Sequence, residues 1–348
     1  MLTSDLDYPL PPAAVAQHPV SPRDAALLLV DTGAGTAPVH RAVRDLPDLL
    51  REGDLLVVND TRVLRARVPV VRPGGGGGEV LLLEPHAGDG WWVALVRPSR
   101  RLRPGTVVLA ARGDLQIELG EPVDGGRRLV RPVPPPPEVL SGSSAWLEDA
   151  LEVSGEVPLP PYITAPLDDA ERYQTVFARR AASSAAPTAG LHLTDDVVRR
   201  CAAAGVGLAR VELVVGLDTF RPIEVDAVED HPIHSEWYRV PAETWAAVQD
   251  TRAAGGRVVA VGTTVVRSLE SQAATGQPEG RTRLFITPGF TFEAVDLLMT
   301  NFHLPRSSLL ALVQAFVGER WRDLYEDALR SGYRLLSFGD ASLLQHTP

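Results

Sequence analysis

The periodicity of apolar and polar positions changes along the chain and divides it into three stretches. Before residue 62, two short apolar runs, "AALLLVD" and "DLLVVND", have the length and composition of buried strands. Between them, "DLPDLLREG" spaces its apolar residues as a helix does, with Asp45 as cap, Pro47 in the first turn and Gly53 at the end. From about Val63 to Val133 the runs are short or alternating: "VLRARVPVV", "EVLLLEP", "WWVALV", "TVVLA", "LQIEL" and "RRLVRPV". Short strands separated by turn residues predict a small β-barrel or sandwich. Glycines 74 to 78 read as a flexible hairpin loop within it, and prolines 134 to 137 as a stiff spacer at its end.

Beyond residue 140 longer patterns alternate. Helices are predicted over "SAWLEDALE", "DDAERYQTVFARR", "DDVVRRCAAAG", "AETWAAVQDTRAAG" and "SSLLALVQAFVGERWRDLYEDALRSG", and strands over "LARVELVVGL", "RVVAVG", "RLFIT" and "FTFEAVDLLM". The expectation is an α/β fold: a large mixed α/β, open-barrel-like domain from residues 1–61 and 141–348, with an all-β barrel domain inserted over 62–140.

Composition narrows the picture. A chain of 348 residues exceeds what one hydrophobic core usually serves, which agrees with two domains. No apolar run approaches bilayer-crossing length, and "MLTSDLDYPLPP" lacks the basic and apolar parts of a secretory signal, so a soluble cytoplasmic protein without a membrane partner is expected. Cys201 is the sole cysteine, which excludes an internal disulfide and a thiolate metal cage; in "RRCAAAG" it reads as a small core residue. All 34 basic residues are arginine, which removes Schiff-base chemistry and the phosphate-loop lysine. A formal charge of −10 disfavours a broad basic nucleic-acid face. Arg62, Arg65, Arg67, Arg97, Arg100, Arg101 and Arg103 nevertheless concentrate in the β stretch, and the arginine fork matches phosphate.

Five segments carry candidate chemistry. "LLLVDTGAGTAP" imitates a nucleotide-binding turn, but the third glycine is missing and Pro38 interrupts the helix that should follow, so a surface turn is expected. "RVVAVGTTVVRSLES" ends a strand at Gly262 and opens a helix at Thr263 and Thr264, where amides and hydroxyls suit either a polar ligand or an ordinary cap. In "AAPTAGLHLTDDV", Thr194 reads as an N-cap, and Asp195 and Asp196 would favour a neutral or cationic ligand at that helix start. "EDHPIHSEWY" gathers His231, His234 and Glu236, a density suited to proton transfer and without zinc-pair spacing. "MTNFHLPRSSLL" sets Asn301, His303 and Arg306 between an apolar strand and a helix.

Together "DLDYPLPPAAVAQHPVSPRDAALLLV", "GDLLVVNDTRV", "LVRPSRRLRPG", "VPLPPYI", "ERYQTVFA", "AAPTAGLHLT", "GTTVVRSLES", "TNFHLPRSSLLALV" and "SFGDASLL" resemble, in order and over nearly the whole chain, the S-adenosylmethionine:tRNA ribosyltransferase-isomerases of queuosine biosynthesis. The resemblance implies transfer and isomerisation of the ribosyl carbons of S-adenosylmethionine onto the aminomethyl arm of a 7-deazaguanine in tRNA. Epoxyqueuosine is the product, and adenine and methionine are released. It implies no metal and no cofactor, because S-adenosylmethionine is consumed as substrate; a monomer is expected. His192, His234, Glu236 and His303 are the expected catalytic groups. The matched strings place substrate contacts at Asn59, Asp60, Thr61, Arg62, Arg97, Arg100, Tyr173, Gln174, Thr188, Gly190, Gly262, Thr263, Thr264, Arg267, Asn301 and Asp340. Val214, Asp218, Ile233 and Val265 depart from the family pattern, as does "RAASS" before "AAPTAG", where the family usually carries a proline-glycine pair. They motivate two alternatives: the same chemistry on a small-molecule acceptor, or a catalytically silent RNA-binding homologue.

Overall fold

Strands that are nearly continuous apolar runs are stable only when both faces are covered, and three such runs form the middle of the principal sheet. The computed structural model describes residues 1–33, 35–86, 90–99, 102–134, 146–216, 219 and 221–346. They fall into two compact units: Met1–Thr61 with Pro160–Arg180 and Ala186–Pro348, and Arg62–Leu159 with Ala181–Ala185.

The first unit contains β1 (Leu27–Val30), β2 (Val39–Ala42), α1 (Leu46–Leu49) and β3 (Leu55–Asn59). The chain crosses between units near β4 (Thr61–Val63). The second unit holds β5 (Arg67–Val71), β6 (Gly77–Pro85), β7 (Trp92–Arg97), β8 (Val107–Ala110), β9 (Gln116–Val123), β10 (Arg127–Val133) and α2 (Trp146–Ser154). Near β11 (Arg180–Ser183) the chain crosses again, then forms α3 (Asp195–Ala203), β12 (Gly207–Leu213), β13 (Glu236–Arg239), α4 (Ala242–Ala253), β14 (Val258–Val261), α5 (Thr263–Thr275) and β15 (Glu279–Thr282). It ends with β16 (Leu297–Asn301), α6 (Ser308–Val317), α7 (Trp321–Arg330) and β17 (Ala341–Gln345).

The sheet of the first unit has nine strands in the order β15-β13-β12-β3-β14-β16-β17-β1-β2. β12, β3, β14 and β16 run parallel, and every residue of β3, β14 and β16 is buried. One face packs Leu56, Val58, Val259, Val261 and Met299 against Leu46, Leu193, Val197 and Cys201. Burial pushes the Cys201 thiol up to about 11, so it behaves as a core residue. The parallel pairing matters for function, because loops leaving the carboxyl ends of parallel strands border the crevice where α/β proteins bind ligands.

In the second unit six strands close into a barrel, β10-β7-β6-β5-β8-β9. This unit runs past the expected limit of 140 to Leu159, because Arg67 and Glu156 exchange backbone hydrogen bonds of 3.1 and 2.7 Å and carry α2 with them. Two glycines of the run 74 to 78 belong to β6 rather than to the loop. Residues 135–145, including three of the spacer prolines, lie outside the described residues.

Several element boundaries differ from expectation. α1 stops at Leu49, short of Gly53. "DDAERYQTVFARR" forms only a short 3-10 turn at Ala170–Tyr173, since Arg23 reaches the carbonyls of Glu171 (2.7 Å) and Gln174 (2.5 Å) and holds them outside a helical ladder. The long terminal helix is two helices, broken at Gly318, whose φ of 67° lies in the left-handed region. The strand expected at "RLFIT" lies just before it, as β15.

Candidate active site

Four connections leave the carboxyl ends of the parallel strands: 214–216 and Thr219 after β12, Asp60 after β3, Gly262 before α5 after β14, and Phe302–Ser307 after β16. A cavity open to solvent lies within the first unit, lined by Thr188, Thr219, Asn301, His303, Leu336 and Ser337 together with Tyr162, Phe302, Leu304, Ser307 and Leu309. Tyr162 and Ser337 share a 2.7 Å hydrogen bond on its wall.

Asn301, the last residue of β16, donates from Nδ2 to His192 Nε2 at 2.9 Å and to the Leu336 carbonyl at 3.2 Å. An amide nitrogen only donates, so His192 Nε2 is the accepting, unprotonated nitrogen. Burial, with the charges of Arg334 and Arg23 adding to it, lowers the His192 pKa to about 4. The Asn301 Oδ1 is buried with no partner among the described residues. His303 lines the cavity directly, its Nε2 3.0 Å from Thr300 Oγ1, and burial lowers its pKa to about 3. Its backbone is clamped: the carbonyl accepts from the Tyr8 hydroxyl (2.6 Å) and the amide donates to the Tyr325 oxygen (3.0 Å). Both imidazoles are therefore neutral at physiological pH.

A charged network stands behind Thr219. Its hydroxyl donates to Glu236 Oε1 (3.1 Å) and lies 3.3 Å from His234 Nε2, which is itself 3.2 Å from the same carboxylate oxygen. Glu236 Oε2 meets Arg267 Nη1 at 3.1 Å, and Gly216 N donates to Oε1 at 3.3 Å. Burial pushes the Glu236 carboxyl up, but Arg267, His234 and the Gly216 amide together outweigh it and hold the pKa below the ordinary value. Glu236 is thus an ionised, buried carboxylate, suited to facing a cation and unsuited to donating a proton.

The expected site residues separate into groups. Thr188, Asn301 and His303 line the cavity. His192 is bonded to Asn301, and His234, Glu236 and Arg267 connect through Thr219. Gly262, with φ 97°, brings Ala189 within 3.5 Å of where a Cβ would stand, and Thr263 and Thr264 follow as buried residues of α5. Others have structural work instead. Asn59 joins β3 to β12 through Leu213 N and O, both at 3.1 Å. Asp340 accepts from the amides of Leu27 (2.8 Å) and Arg334 (2.7 Å). Tyr173 is fully buried, edge-on to Phe338. Gln174 is buried beside it and gives its carbonyl to Arg23. Gly190 is a packing glycine, since a Cβ would lie 2.9 Å from the Phe177 ring. Asp60 is half-buried with Arg179 3.8 Å away, and Thr61 is buried.

Among the arginines, Arg62 is half-buried, Arg97 is exposed, and Arg100 lies outside the described residues. Arg65 and Arg67 pair with Glu152 (2.9 Å) and Glu79 (3.1 Å), which neutralises part of the basic concentration. Asp195 and Asp196 are exposed, and Asp196 pairs with Arg199 at 3.0 Å, so they do not supply the expected cation-binding end; Thr194 does cap α3. The glycine turn after β1 leads into the antiparallel β2 rather than a helix. The polar lining residues that the sequence left unmarked as site residues are Tyr162, Thr219, Ser307 and Ser337. Tyr162 and Ser337 sit inside "VPLPPYI" and "SFGDASLL", strings that carried the resemblance without pointing to either side chain.

Fold and site define an α/β protein with an added β-barrel, whose cavity at the strand ends joins neutral imidazoles to a buried carboxylate. The family described as "Queuosine biosynthesis protein" matches residues 3–344, and the chain belongs to it. A relative from Rubrobacter xylanophilus, named S-adenosylmethionine:tRNA ribosyltransferase-isomerase, is 49% identical over 345 residues, covering 99% of this chain and 98% of its own. One of the same name from Moorella thermoacetica is 46% identical over 350 residues, covering 99% and 100%. The crystal structure of S-adenosylmethionine tRNA ribosyltransferase from Thermotoga maritima is 34% identical, covers 98% of this chain and 99% of its own, and superposes with a TM-score of 0.55.

Proposed function

We propose that the chain transfers and isomerises the ribosyl moiety of S-adenosylmethionine onto the aminomethyl group of 7-aminomethyl-7-deazaguanine in tRNA, giving epoxyqueuosine and releasing adenine and methionine. Membership of the family over almost the full length supports this reading. The observation that carries it to chemistry is a cavity with neutral His303 on its wall, to which neutral His192 is tied through Asn301 and the ionised, buried Glu236 through Thr219. A proton next to the sulfonium must be removed, and His303, unprotonated and on the cavity wall, is the group placed to accept it once charge developing in the bound substrate raises its depressed basicity. His192 is a positioning residue: it fixes the Asn301 amide so that the unpartnered Oδ1 can accept from substrate N–H or O–H groups. Glu236 stabilises the cationic sulfur, and His234, held against that carboxylate, delivers the proton that departing adenine requires. S-adenosylmethionine is consumed as substrate with no separate cofactor, and the enzyme works as a monomer in the cytoplasm. No helix among the described residues is long and apolar enough to cross a membrane.

Adenine release tests the proposal. Purified protein given S-adenosylmethionine should release adenine and methionine in equal amounts only when tRNA bearing the aminomethyl-deazaguanine is present. Release that depends on a small amine instead of tRNA, or tRNA binding with no release, would contradict it.

A further inference from the structure

We infer that one edge of Arg267 is the receptor for the α-carboxylate of the sulfonium substrate. This rests on the reading of the chain as an enzyme that consumes S-adenosylmethionine, and it assigns a subsite within that reading. Arg267 lies on the second turn of α5 and is only 6% exposed. Its Nη1 is engaged by Glu236, whereas Nε and Nη2 are buried with no hydrogen-bond partner among the described residues. Those two nitrogens share one edge of the guanidinium, so their N–H bonds run side by side and match the two oxygens of a carboxylate. An ion pair with Glu236 alone would not require the other edge to be buried dry. Unmatched buried donors are costly and point to a ligand that satisfies them.

Thr264 supplies a second observation. It stands three residues earlier on the same face of α5, and its hydroxyl is likewise buried and unpartnered among the described residues. Both groups sit in the first turns of a 13-residue helix, whose positive end favours an anion. Arg267 connects to the cavity through Glu236 and Thr219, so the carboxylate subsite adjoins the place proposed for the sulfur. Burial to this depth excludes the backbone phosphate of a folded RNA, which leaves a small anionic group as the fitting occupant. The pairing is also complementary in charge: Glu236 takes one side of the guanidinium and the substrate carboxylate the other, while the sulfonium faces the acidic side.

Calorimetric titration of the purified protein with S-adenosylmethionine and with its decarboxylated analogue tests this, because the analogue keeps adenine, ribose and sulfonium and lacks only the carboxylate. The intact substrate should bind at least about tenfold more tightly, the difference expected of a charge-assisted bidentate pair. Arg267→Lys keeps a positive charge for Glu236 but has no fork; it should bind both compounds with the affinity that the analogue shows for the unaltered protein. Equal affinity of the unaltered protein for the two compounds would overturn the inference, and this comparison stands whether or not the variant folds. An equal loss for both compounds in a folded variant would also overturn it, leaving Arg267 a structural role. Binding of neither compound would remove the functional reading, and the subsite with it.

Discussion

His303 shows how burial sets chemistry at one side chain. Its folded pKa of about 3 and that of His192, about 4, both lie below the ordinary value of 6.5. The unfolded chain therefore binds more protons than the folded one below about pH 6.5, so stability is complete above that value and falls as pH drops toward 4 and then 3. The shifts correspond to roughly 3 kcal/mol for His192 and roughly 5 kcal/mol for His303 across this window. His303→Gln should flatten the pH dependence of urea unfolding between pH 7 and 4.5, and an unchanged slope would show that the imidazole titrates freely. The same substitution should lower kcat by roughly 10²–10⁴-fold, the range for loss of a general base, in single-turnover adenine release. The histidines were legible in the sequence as titratable groups in unusual loops. Their division of labour was not, because it depends on Asn301 and Thr219, which folding alone brings beside them.

Elements were legible where period and burial agree. The six barrel strands and the central β3 and β14 fall where alternation or continuous apolar runs place them, since each pattern satisfies one kind of packing, whereas β16 takes only the end of "FTFEAVDLLM" and runs on to Asn301. Prediction failed where a distant side chain overrides local preference, as Arg23 does for the segment around Tyr173, and where one glycine divides an amphipathic run, as at Gly318. The short strands β13 and β15 at one end of the sheet carry weak periodic signals, so β13 was missed and β15 was expected a few residues too late. Asp340 belongs with these distant ties: its carboxylate joins the start of β1 to the loop before β17 through two backbone amides. Asp340→Asn keeps the shape but turns one acceptor into a donor facing an N–H. It should cost about 1–3 kcal/mol in urea unfolding, and an unaltered midpoint would show that the tie contributes nothing.

For the protein as a whole, the acidic balance and the arginine-bearing barrel have to serve one reaction on a polyanionic acceptor. Arg128 is 2% exposed within the barrel unit and donates to the carbonyls of Gly120 (2.7 Å) and Leu102 (2.8 Å), so it holds the loop that carries much of the positive charge rather than presenting charge itself. Arg97 and Arg103 are exposed, whereas Arg67 is matched by Glu79. Replacing Arg97 and Arg103 together by Ala should weaken tRNA binding and reduce the slope of log affinity against log salt by roughly one for each phosphate that is no longer neutralised. Arg67→Gln should leave that slope nearly unchanged; equal effects would mean that pairing with Glu79 does not matter. What distinguishes the proposed chemistry from every methyl transfer is that the sugar of S-adenosylmethionine is rebuilt on tRNA while the methyl group stays on sulfur. Two parallel reactions with aminomethyl-deazaguanine tRNA separate these fates, one with label in the ribosyl carbons of S-adenosylmethionine and one with label in its methyl, each followed by mass analysis of the tRNA nucleosides. Ribosyl label should enter the tRNA base while methyl label leaves in methionine; methyl label in the tRNA, or no label in it from either reaction, would contradict the proposed chemistry.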